Sequence, residues 1–387
     1  MYSMRKKKRK KDVVLNEQEI ISLKDKIQSQ GRDIIIMKKI LVGMSGGVDS
    51  SVSALLLKKA GYEVSGVTMK LWGKDNENLL SIQDAQKVCK TIGINHYAVK
   101  FEDEFKCHVI DYFISEYCKN NTPNPCIECN KYIKFGALYQ KAKELGIEYM
   151  ATGHYAKTEY SEQYGRFVLK KSQNTLKDQS YVLYRIPKEL LSKIIFPLSD
   201  FQSKTEIRQI AKDNNLQIAN KPDSEDICFI PDGNYKKFLE ENSQLRPKIG
   251  NIVDSKGNVL GTHNGLYNYT IGQRKGLGIA YKAPLFVLGY NSIKNELIVG
   301  EERELYKKEV LVKDINLLLV DDIKEPLKVN VKTRYSTKEA PATIEQINNN
   351  TIKVTFDEPQ ARITPGQSAV FYVDDIVLGG GKLENIM

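Results

Sequence analysis

Residues 40–56 constrain the fold of this chain more than any other segment. They begin with an apolar run, Ile40-Leu41-Val42, which is typical of a buried parallel strand and stops at Gly43. After the pair Gly46-Gly47, apolar residues recur at helical spacing and predict a helix that ends near Gly61. Strand, glycine-rich loop and helix in this order present backbone N–H groups and the positive end of a helix dipole. Such a loop favours an anion, above all phosphate.

The loop lacks the Gly-Lys-Ser/Thr ending with which a Walker loop holds the outer phosphates. Its sequence, Ser45-Gly46-Gly47-Val48-Asp49-Ser50, resembles the pyrophosphate loop of the PP-loop ATPases, which split ATP between its α and β phosphates. A glycine turn that serves packing alone is the alternative. The residues that the resemblance assigns to ATP are Gly43, Met44, Ser45, Gly46, Gly47, Val48, Asp49, Ser50, Met69 and Gly153, with Mg²⁺ bridging the phosphates through Asp49.

Strand and helix patterns alternate between residue 37 and about residue 120. Strands over 64–71 and 97–101 and helices over 83–93 and 102–119 predict an α/β fold with a doubly wound parallel sheet. Nucleotides bind such sheets at the carboxyl ends of the strands. Met69 would therefore line an adenine pocket, and Gly153 and His154, which follow a predicted strand over 148–152, should lie at the same edge.

Length and charge limit the remaining possibilities. A chain of 387 residues with 41% hydrophobic residues can form two or three domains with their own cores. Residues 1–36 hold ten Lys and Arg against five Asp and Glu and predict a basic disordered tail, which supplies half of the net charge of +10. The mildly basic remainder permits a polyanionic partner. Because no apolar run reaches ~18 residues and no secretory signal is evident, we expect a cytosolic protein without a membrane segment.

The six cysteines favour catalytic, metal-binding or core roles over a disulfide scaffold. The Pro123-Asn124-Pro125 segment predicts a rigid exposed loop before a helix, which would place Cys129 at or beside a helix N-terminus. The helix dipole, Lys131 and Lys134 should then lower the thiol pKa of Cys129. Cys126 completes a Cys-x-x-Cys pair, but no second pair supplies the four ligands of a zinc site. Cys89, Cys107 and Cys118 are expected in the core or on its flanks, and Cys228, taken alone, in a buried strand.

Several motifs occur in the order found in the tRNA-specific 2-thiouridylase (MnmA/TrmU) family, which the chain resembles from about residue 38 to its C-terminus. The motifs are Ser45-Gly46-Gly47-Val48-Asp49-Ser50, Pro123-Asn124-Pro125 with Cys129-Asn130-Lys131, Thr152-Gly153-His154-Tyr155, Lys177-Asp178-Gln179-Ser180-Tyr181, Ile227-Cys228-Phe229-Ile230 and Gly272-Gln273-Arg274-Lys275-Gly276-Leu277-Gly278. The resemblance implies a PP-loop ATPase domain over 37–232, a central tRNA-binding domain over 233–302 and a C-terminal β-barrel over 303–387. Independently, β-rich runs separated by turn residues after Val310 predict an all-β module.

The resemblance also implies an activity, the ATP-dependent 2-thiolation of the wobble uridine of tRNA anticodons. ATP adenylates the C2 oxygen, and Cys228 carries sulfur as a persulfide received from a cysteine desulfurase or a sulfur-relay protein. Cys129 is the second thiol, which either releases sulfide or forms a disulfide with Cys228. The positions assigned to tRNA are Asn124, Pro125 and Cys126 around the target base, and His154, Lys177, Asp178, Gln179, Arg334, Tyr335 and Gln367.

Cys126 departs from the family pattern, because many members carry Asp at this position. Together with Cys129 and Cys228 it makes a three-thiol set that could bind three irons of a [4Fe-4S] cluster and leave the fourth open. The same thiols suit plain persulfide chemistry, which we expect. Two other classes stay open at this point. A small-molecule PP-loop ligase, such as an amidating synthetase, would not need the paired thiols, and a non-enzymatic RNA-binding protein would only retain the ATP fold.

Overall fold

The computed structural model describes residues 38–73, 75–222 and 227–384. The tail predicted over 1–36 lies outside these ranges. Within them, no helix has the length and apolar character that crossing a membrane requires.

Strands and helices alternate in the first half of the described chain, and strands dominate the second half. The strands are β1 Lys39–Gly43, β2 Glu63–Lys70, β3 Asn95–Lys100, β4 Tyr149–Ala151, β5 Lys157–Ser161, β6 Arg166–Lys170, β7 Ile194–Ile195, β8 Ile249–Val253, β9 Val259–Asn264, β10 Phe286–Asn291, β11 Glu296–Gly300, β12 Lys307–Leu317, β13 Leu327–Lys332, β14 Ala340–Asn348, β15 Thr351–Gln360, β16 Ser368–Val373 and β17 Ile376–Leu383. The main helices are α1 Val48–Lys59, α2 Asp75–Ile92, α3 (Glu102–Phe105, the π-helical Lys106–Ile110 and Asp111–Cys118), α4 (Pro125–Glu128, the π-helical Cys129–Ala137 and Leu138–Glu144), α5 Lys204–Asp213 and α6 Tyr235–Asn242.

The predicted doubly wound parallel sheet is confirmed. Its five strands are parallel and have the order β3-β2-β1-β4-β7. Ile40, Leu41 and Val42 in the central strand β1 are fully buried, and they alternate between two core clusters on opposite faces of the sheet. A strand that is apolar on both faces needs helices on both sides, which fixes its central position.

The predicted C-terminal barrel is also confirmed. Six strands follow one another in the order β12-β15-β14-β13-β16-β17, and β17 pairs back onto β12 to close the ring. The sequence reading missed β14, because its inward positions include the small residues Ala340 and Ala342, which give a weak hydrophobic alternation. It also missed the hairpin of β5 and β6, which extends the barrel sheet where Lys170 pairs with Ile376.

A separate four-stranded sheet lies between these two parts of the sequence. Its order is β10-β11-β8-β9, and it surrounds a small apolar core that includes Ile252, Val287 and Leu297. The Asn120 side chain at the end of α3 donates a 2.9 Å hydrogen bond to the Ser292 hydroxyl in this unit. The central sheet therefore contacts the α/β domain close to the segment that leads into α4.

A buried ionic network joins the barrel to the α/β domain. Arg185 Nη1 lies 2.7 Å from Glu128 Oε1, and Arg185 Nη2 lies 2.8 Å from Asp314 Oδ2 in β12. Lys382 Nζ in β17 lies 3.1 Å from the same Glu128 oxygen. The Arg185 and Glu128 side chains are only 3% and 4% exposed. Because Glu128 directly precedes Cys129 in α4, the network fixes this helix against the barrel.

Replacement of Arg185 by Met should lower the free energy of unfolding by about 3 kcal/mol, because it leaves the buried Glu128 with fewer charged partners. Chemical denaturation followed by circular dichroism measures the change. Arg166→Met is the matched control, since the Arg166 pair with Asp321 is solvent-exposed and should contribute at most about 1 kcal/mol. Equal small losses in the two variants would contradict a stabilising role for the network.

Candidate active site

The glycine-rich loop connects β1 to α1 at the carboxyl edge of the parallel sheet. Gly47 is the N-cap of α1, and the Ser45 N–H donates a 3.2 Å hydrogen bond to Ser50 Oγ across the loop. Met44 and Val48 are buried in the core, so their side chains pack the loop against the sheet. The predicted strand, loop and helix are therefore all present, with the N-terminus of α1 at the loop.

Two lysines from distant parts of the chain lie at this loop, which carries none itself. Asp49 Oδ2 forms an ion pair with Lys204 Nζ at 2.5 Å, and Asp49 Oδ1 accepts a 2.9 Å hydrogen bond from the Tyr155 hydroxyl. Lys221 Nζ donates a 3.0 Å hydrogen bond to the Gly46 carbonyl. Lys204 is the first residue of α5, where the helix dipole disfavours a cation, so the pair with Asp49 explains its position. The sequence alone did not identify either lysine. The only signal was the position of Lys204, a cation in the first turn of a helix.

Gly153, just after β4, packs directly onto the first turn of α1. A Cβ atom at this position would lie 2.7 Å from the Ser50 backbone nitrogen and 2.8 Å from the Asp49 carbonyl carbon. A side chain would therefore push the loop away from the sheet edge. Met69 lies near the end of β2, half-buried against the second core cluster.

The segment with Cys126 is helical from its start, so the predicted exposed proline loop before a later helix is wrong. Asn124 is the N-cap, and its Oδ1 accepts a 3.2 Å hydrogen bond from the Cys126 N–H. Pro125 occupies the first helical position, where the missing N–H is no loss, and both Pro123 and Pro125 are buried. Cys126, and not Cys129, consequently lies in the N-terminal turn.

The prediction of a lowered thiol pKa for Cys129 is also wrong. Cys129 is buried, and burial raises its pKa to about 12, with Lys134 acting in the opposite direction. Cys228 lies in a turn with an accessible side chain and not in a buried strand, yet the surrounding protein removes enough water to raise its pKa to about 11. Desolvation also raises the pKa of Cys126. Each of these thiols is within electrostatic reach of another, and all six cysteines are free.

His154 links the sheet edge to these thiols. Its Nδ1 is hydrogen-bonded to Thr152 Oγ1 at 2.7 Å, and its Nε2 lies 3.3 Å from Lys134 Nζ. Burial, and then the Lys134 charge, hold the pKa of His154 well below its usual range, so the ring is neutral. With a neutral ring, the Lys134 ammonium donates to Nε2, and the ring proton is on Nδ1.

In the Lys177-Asp178-Gln179 motif, the side chains of Asp178 and Gln179 accept hydrogen bonds from other parts of the protein. Asp178 is buried and accepts hydrogen bonds from the Ser172 N–H at 2.9 Å and the Ser180 hydroxyl at 2.7 Å. Gln179 bonds to the Tyr155 backbone in both directions, at 3.0 and 2.8 Å. Lys177 is exposed. Asp178 and Gln179, two of the three residues assigned to tRNA, thus also hold the segment 172–180 in place.

The assigned barrel residues lie at contacts with the other domains. Gln367 Nε2 donates a 2.7 Å hydrogen bond to the Thr122 carbonyl, just before α4. Arg334 Nη2 donates a 3.0 Å hydrogen bond to the Ile271 carbonyl in the central unit. Tyr335 is 41% exposed, and its ring centre lies 6.2 Å from that of Tyr181 in the α/β domain. Burial, followed by the charges of Asp178 and Cys126, raises the pKa of Tyr335.

The described ranges contain no group of three or more His, Cys, Asp or Glu side chains arranged to hold a metal ion. Cys126, Cys129 and Cys228 are therefore not gathered into such a group in this arrangement. Residues 223–226, which precede Cys228, lie outside the description.

Family models match three consecutive parts of the chain. The model described as tRNA methyl transferase HUP domain matches residues 38–232, that described as tRNA methyl transferase PRC-barrel domain matches 236–301, and that described as Aminomethyltransferase beta-barrel domain matches 307–383. The tRNA-specific 2-thiouridylase MnmA of Clostridioides difficile is 49% identical over 355 residues, which cover 90% of this chain and 98% of that protein. The proteins of the same name from Clostridium perfringens and Acetivibrio thermocellus are 48% and 46% identical, over 90% of this chain and 99% of theirs.

Iodoacetamide should alkylate Cys129 and Cys228 at rates that rise about tenfold per pH unit from pH 7 to 10, because only the thiolate reacts and both pKa values lie above this range. Mass spectrometry of the labelled peptides measures both rates. N-acetylcysteine is the control, since an ordinary thiol with a pKa of about 8.5 approaches a plateau within the range. A plateau for Cys129 below pH 9 would show that its thiol is not desolvated.

Proposed function

Because this chain belongs to the tRNA-specific 2-thiouridylase family, we propose that it uses ATP to replace the C2 oxygen of the wobble uridine in tRNA anticodons with sulfur. The family membership predicted from the motifs is thereby confirmed, and the protein is a tRNA sulfurtransferase. One chain of contacts supports the mechanism. Gly153 packs on the first turn of α1 at Asp49 and Ser50. The next residue, His154, contacts Lys134, and the Lys134 charge lowers the pKa of the Cys129 thiol.

In the first step, the uridine C2 oxygen attacks the α-phosphorus of ATP and pyrophosphate leaves. The N–H groups at the start of α1 receive the phosphates, and Lys204 and Lys221 supply the cations that the loop itself lacks. The Asp49 carboxylate would hold Mg²⁺ in exchange for part of its contact with Lys204. Mg²⁺ commonly takes one or two carboxylates together with phosphate oxygens, and it would neutralise charge on the phosphates.

In the second step, a Cys228 persulfide supplies the sulfur. Its terminal sulfur forms a bond to C2, and AMP leaves with the former C2 oxygen. The Cys129 thiolate then attacks the Cys228 sulfur, which breaks the persulfide bond, leaves the sulfur on C2 and forms a Cys129–Cys228 disulfide. A thiol reductant must reduce this disulfide before the next turnover. A cysteine desulfurase or a sulfur-relay protein reloads Cys228.

For tRNA, the exposed positive charges of Lys177, Arg274 and Lys275 suit phosphate contacts. The target base enters beside Asn124, Pro125 and Cys126, where the partly exposed ring of Tyr335 offers a stacking surface. The domain bounds 37–232, 233–302 and 303–387 and the cytosolic location stay predictions.

Incubation with ATP, a persulfide donor and tRNA should yield AMP, pyrophosphate and 2-thiouridine in equal amounts, as measured by chromatography and by mass spectrometry of digested tRNA. Asp49→Ala should abolish pyrophosphate release without unfolding the chain, because the partly exposed Asp49 side chain makes polar contacts with Lys204 and the Tyr155 hydroxyl and is not packed in the apolar core. Asp213→Ala, at the far end of α5, is the control and should retain activity.

ADP and phosphate as products would refute adenylation. Products without 2-thiouridine would point to a small-molecule ligase, and tRNA binding without ATP cleavage to a binding protein.

The roles of the three cysteines can be separated by substitution. Cys129→Ala and Cys228→Ala should each abolish thiolation, because persulfide transfer needs both thiols, whereas Cys126→Ala should retain most of it. The measurement is single-turnover 2-thiouridine formation by aerobic, iron-free enzyme. Equal loss in all three variants, together with activity that appears only after anaerobic iron and sulfide reconstitution, would instead support the cluster.

A further inference from the structure

We propose that Lys134 is a catalytic cation of the sulfur-transfer step and that the π-helical stretch of α4 exists to place its ammonium group beside the thiols. The proposal rests on the proposed function, since it names the residue that stabilises the anionic sulfur during transfer.

The π-helical stretch Cys129–Ala137 changes which residues share a face of α4. Its bonds reach five residues back, as in the Leu138 N–H to Ile133 carbonyl bond that ends the stretch. Residues three and four apart are neighbours on the surface of an α-helix, whereas the wider turn that five-residue bonds produce brings residue i+5 closer to the face of residue i. Lys134 follows Cys129 by five. The wider turn therefore rotates Lys134 towards the face that carries Cys129.

Gly136 permits this widened turn. A Cβ atom at position 136 would lie 2.9 Å from the Lys131 carbonyl oxygen, again five residues earlier. Any side chain here would collide with a backbone atom, which cannot move without changing the helix itself. The π geometry and a glycine at this position thus depend on each other.

The surroundings of Lys134 are those of a functional cation. Its Nζ lies 3.3 Å from His154 Nε2, and the neutral histidine ring accepts a hydrogen bond from it without cancelling its charge. The same charge favours the thiolate forms of Cys126, Cys129 and Cys228. Lys131 in the same helix lies instead 4.7 Å from the centre of the Tyr132 ring. Of these two lysines, Lys134 is the one that contacts His154 and whose charge lowers the thiol pKa values.

The chemistry requires such a cation. When the Cys129 thiolate attacks Cys228, negative charge moves from the Cys129 sulfur to the sulfur that leaves with the uridine. Both sulfur atoms react in a desolvated site, where an uncompensated anion is costly. An ammonium group beside them stabilises the charge before and after its transfer and stays protonated throughout. The proton that the Cys129 thiol loses passes to water, and the 2-thiouridine anion that leaves takes up one proton from water.

Lys134→Met separates the two chemical steps. With persulfide-loaded enzyme in a single turnover, pyrophosphate release should stay within about twofold, whereas 2-thiouridine formation should fall by about 10²-fold or more. Lys131→Met is the matched control and should change neither rate by more than about threefold, since the Lys131 ammonium group lies over the Tyr132 ring and not at His154. Lys134→Arg should restore part of the sulfur transfer. Unchanged 2-thiouridine formation, or an equal loss in both steps, would overturn the proposal.

Two further measurements keep the test independent of the proposed function. Iodoacetamide labelling of Cys129 at pH 8, without ATP or tRNA, should slow about tenfold in Lys134→Met and not in Lys131→Met, because the thiolate loses its cation. Gly136→Ala should reproduce the selective loss of sulfur transfer with an unchanged circular dichroism spectrum. Normal sulfur transfer by Gly136→Ala would refute the role of the π-helical stretch. An unchanged labelling rate of Cys129 in Lys134→Met would refute the role of the Lys134 cation. This conclusion would hold even if the wild type proved unable to adenylate tRNA.

Discussion

The contact between Gly153 and the first turn of α1 is the constraint on which the remaining site depends. It brings the end of β4 against Asp49 and Ser50 with no side chain in between. The next residue, His154, contacts Thr152 with its Nδ1 and Lys134 with its Nε2. The glycine-rich loop and His154 consequently lie at the same edge of the parallel sheet, and His154 connects this edge to Lys134 in α4.

Burial and the nearby positive charge have opposite effects on the pKa values of the cysteine thiols. Desolvation alone would keep Cys129 and Cys228 protonated, because a thiolate in a water-poor site lacks solvation. Protonated thiols are protected from oxidation and from unspecific alkylation in the resting enzyme. The nearby Lys134 charge favours the anion just where the mechanism needs it. Reactivity then depends on a local cation and not on general exposure to solvent.

The barrel takes part in the construction of the site. Its strands supply Asp314 and Lys382 to the network around Glu128, and Gln367 holds the backbone that leads into α4. The hairpin of β5 and β6, which belongs to the sequence of the α/β domain, extends the barrel sheet in return. The helix that carries Cys126 and Cys129 is thus held from two domains, since hydrogen bonds and ion pairs reach it from both.

The sequence by itself determined the parallel sheet, the glycine loop at its edge, the all-β C-terminal part and the family, because each depends on local periodicity or on short motifs with fixed spacing. It could not predict the high thiol pKa values, the helical start at Pro125 or the two lysines at the loop. Desolvation is set by segments far apart in sequence, as when Cys129, Cys126 and Cys228 meet in one site. Lys204 and Lys221 reach the loop from more than 150 positions away, and a basic side chain carries no sign of its partner until the chain has folded.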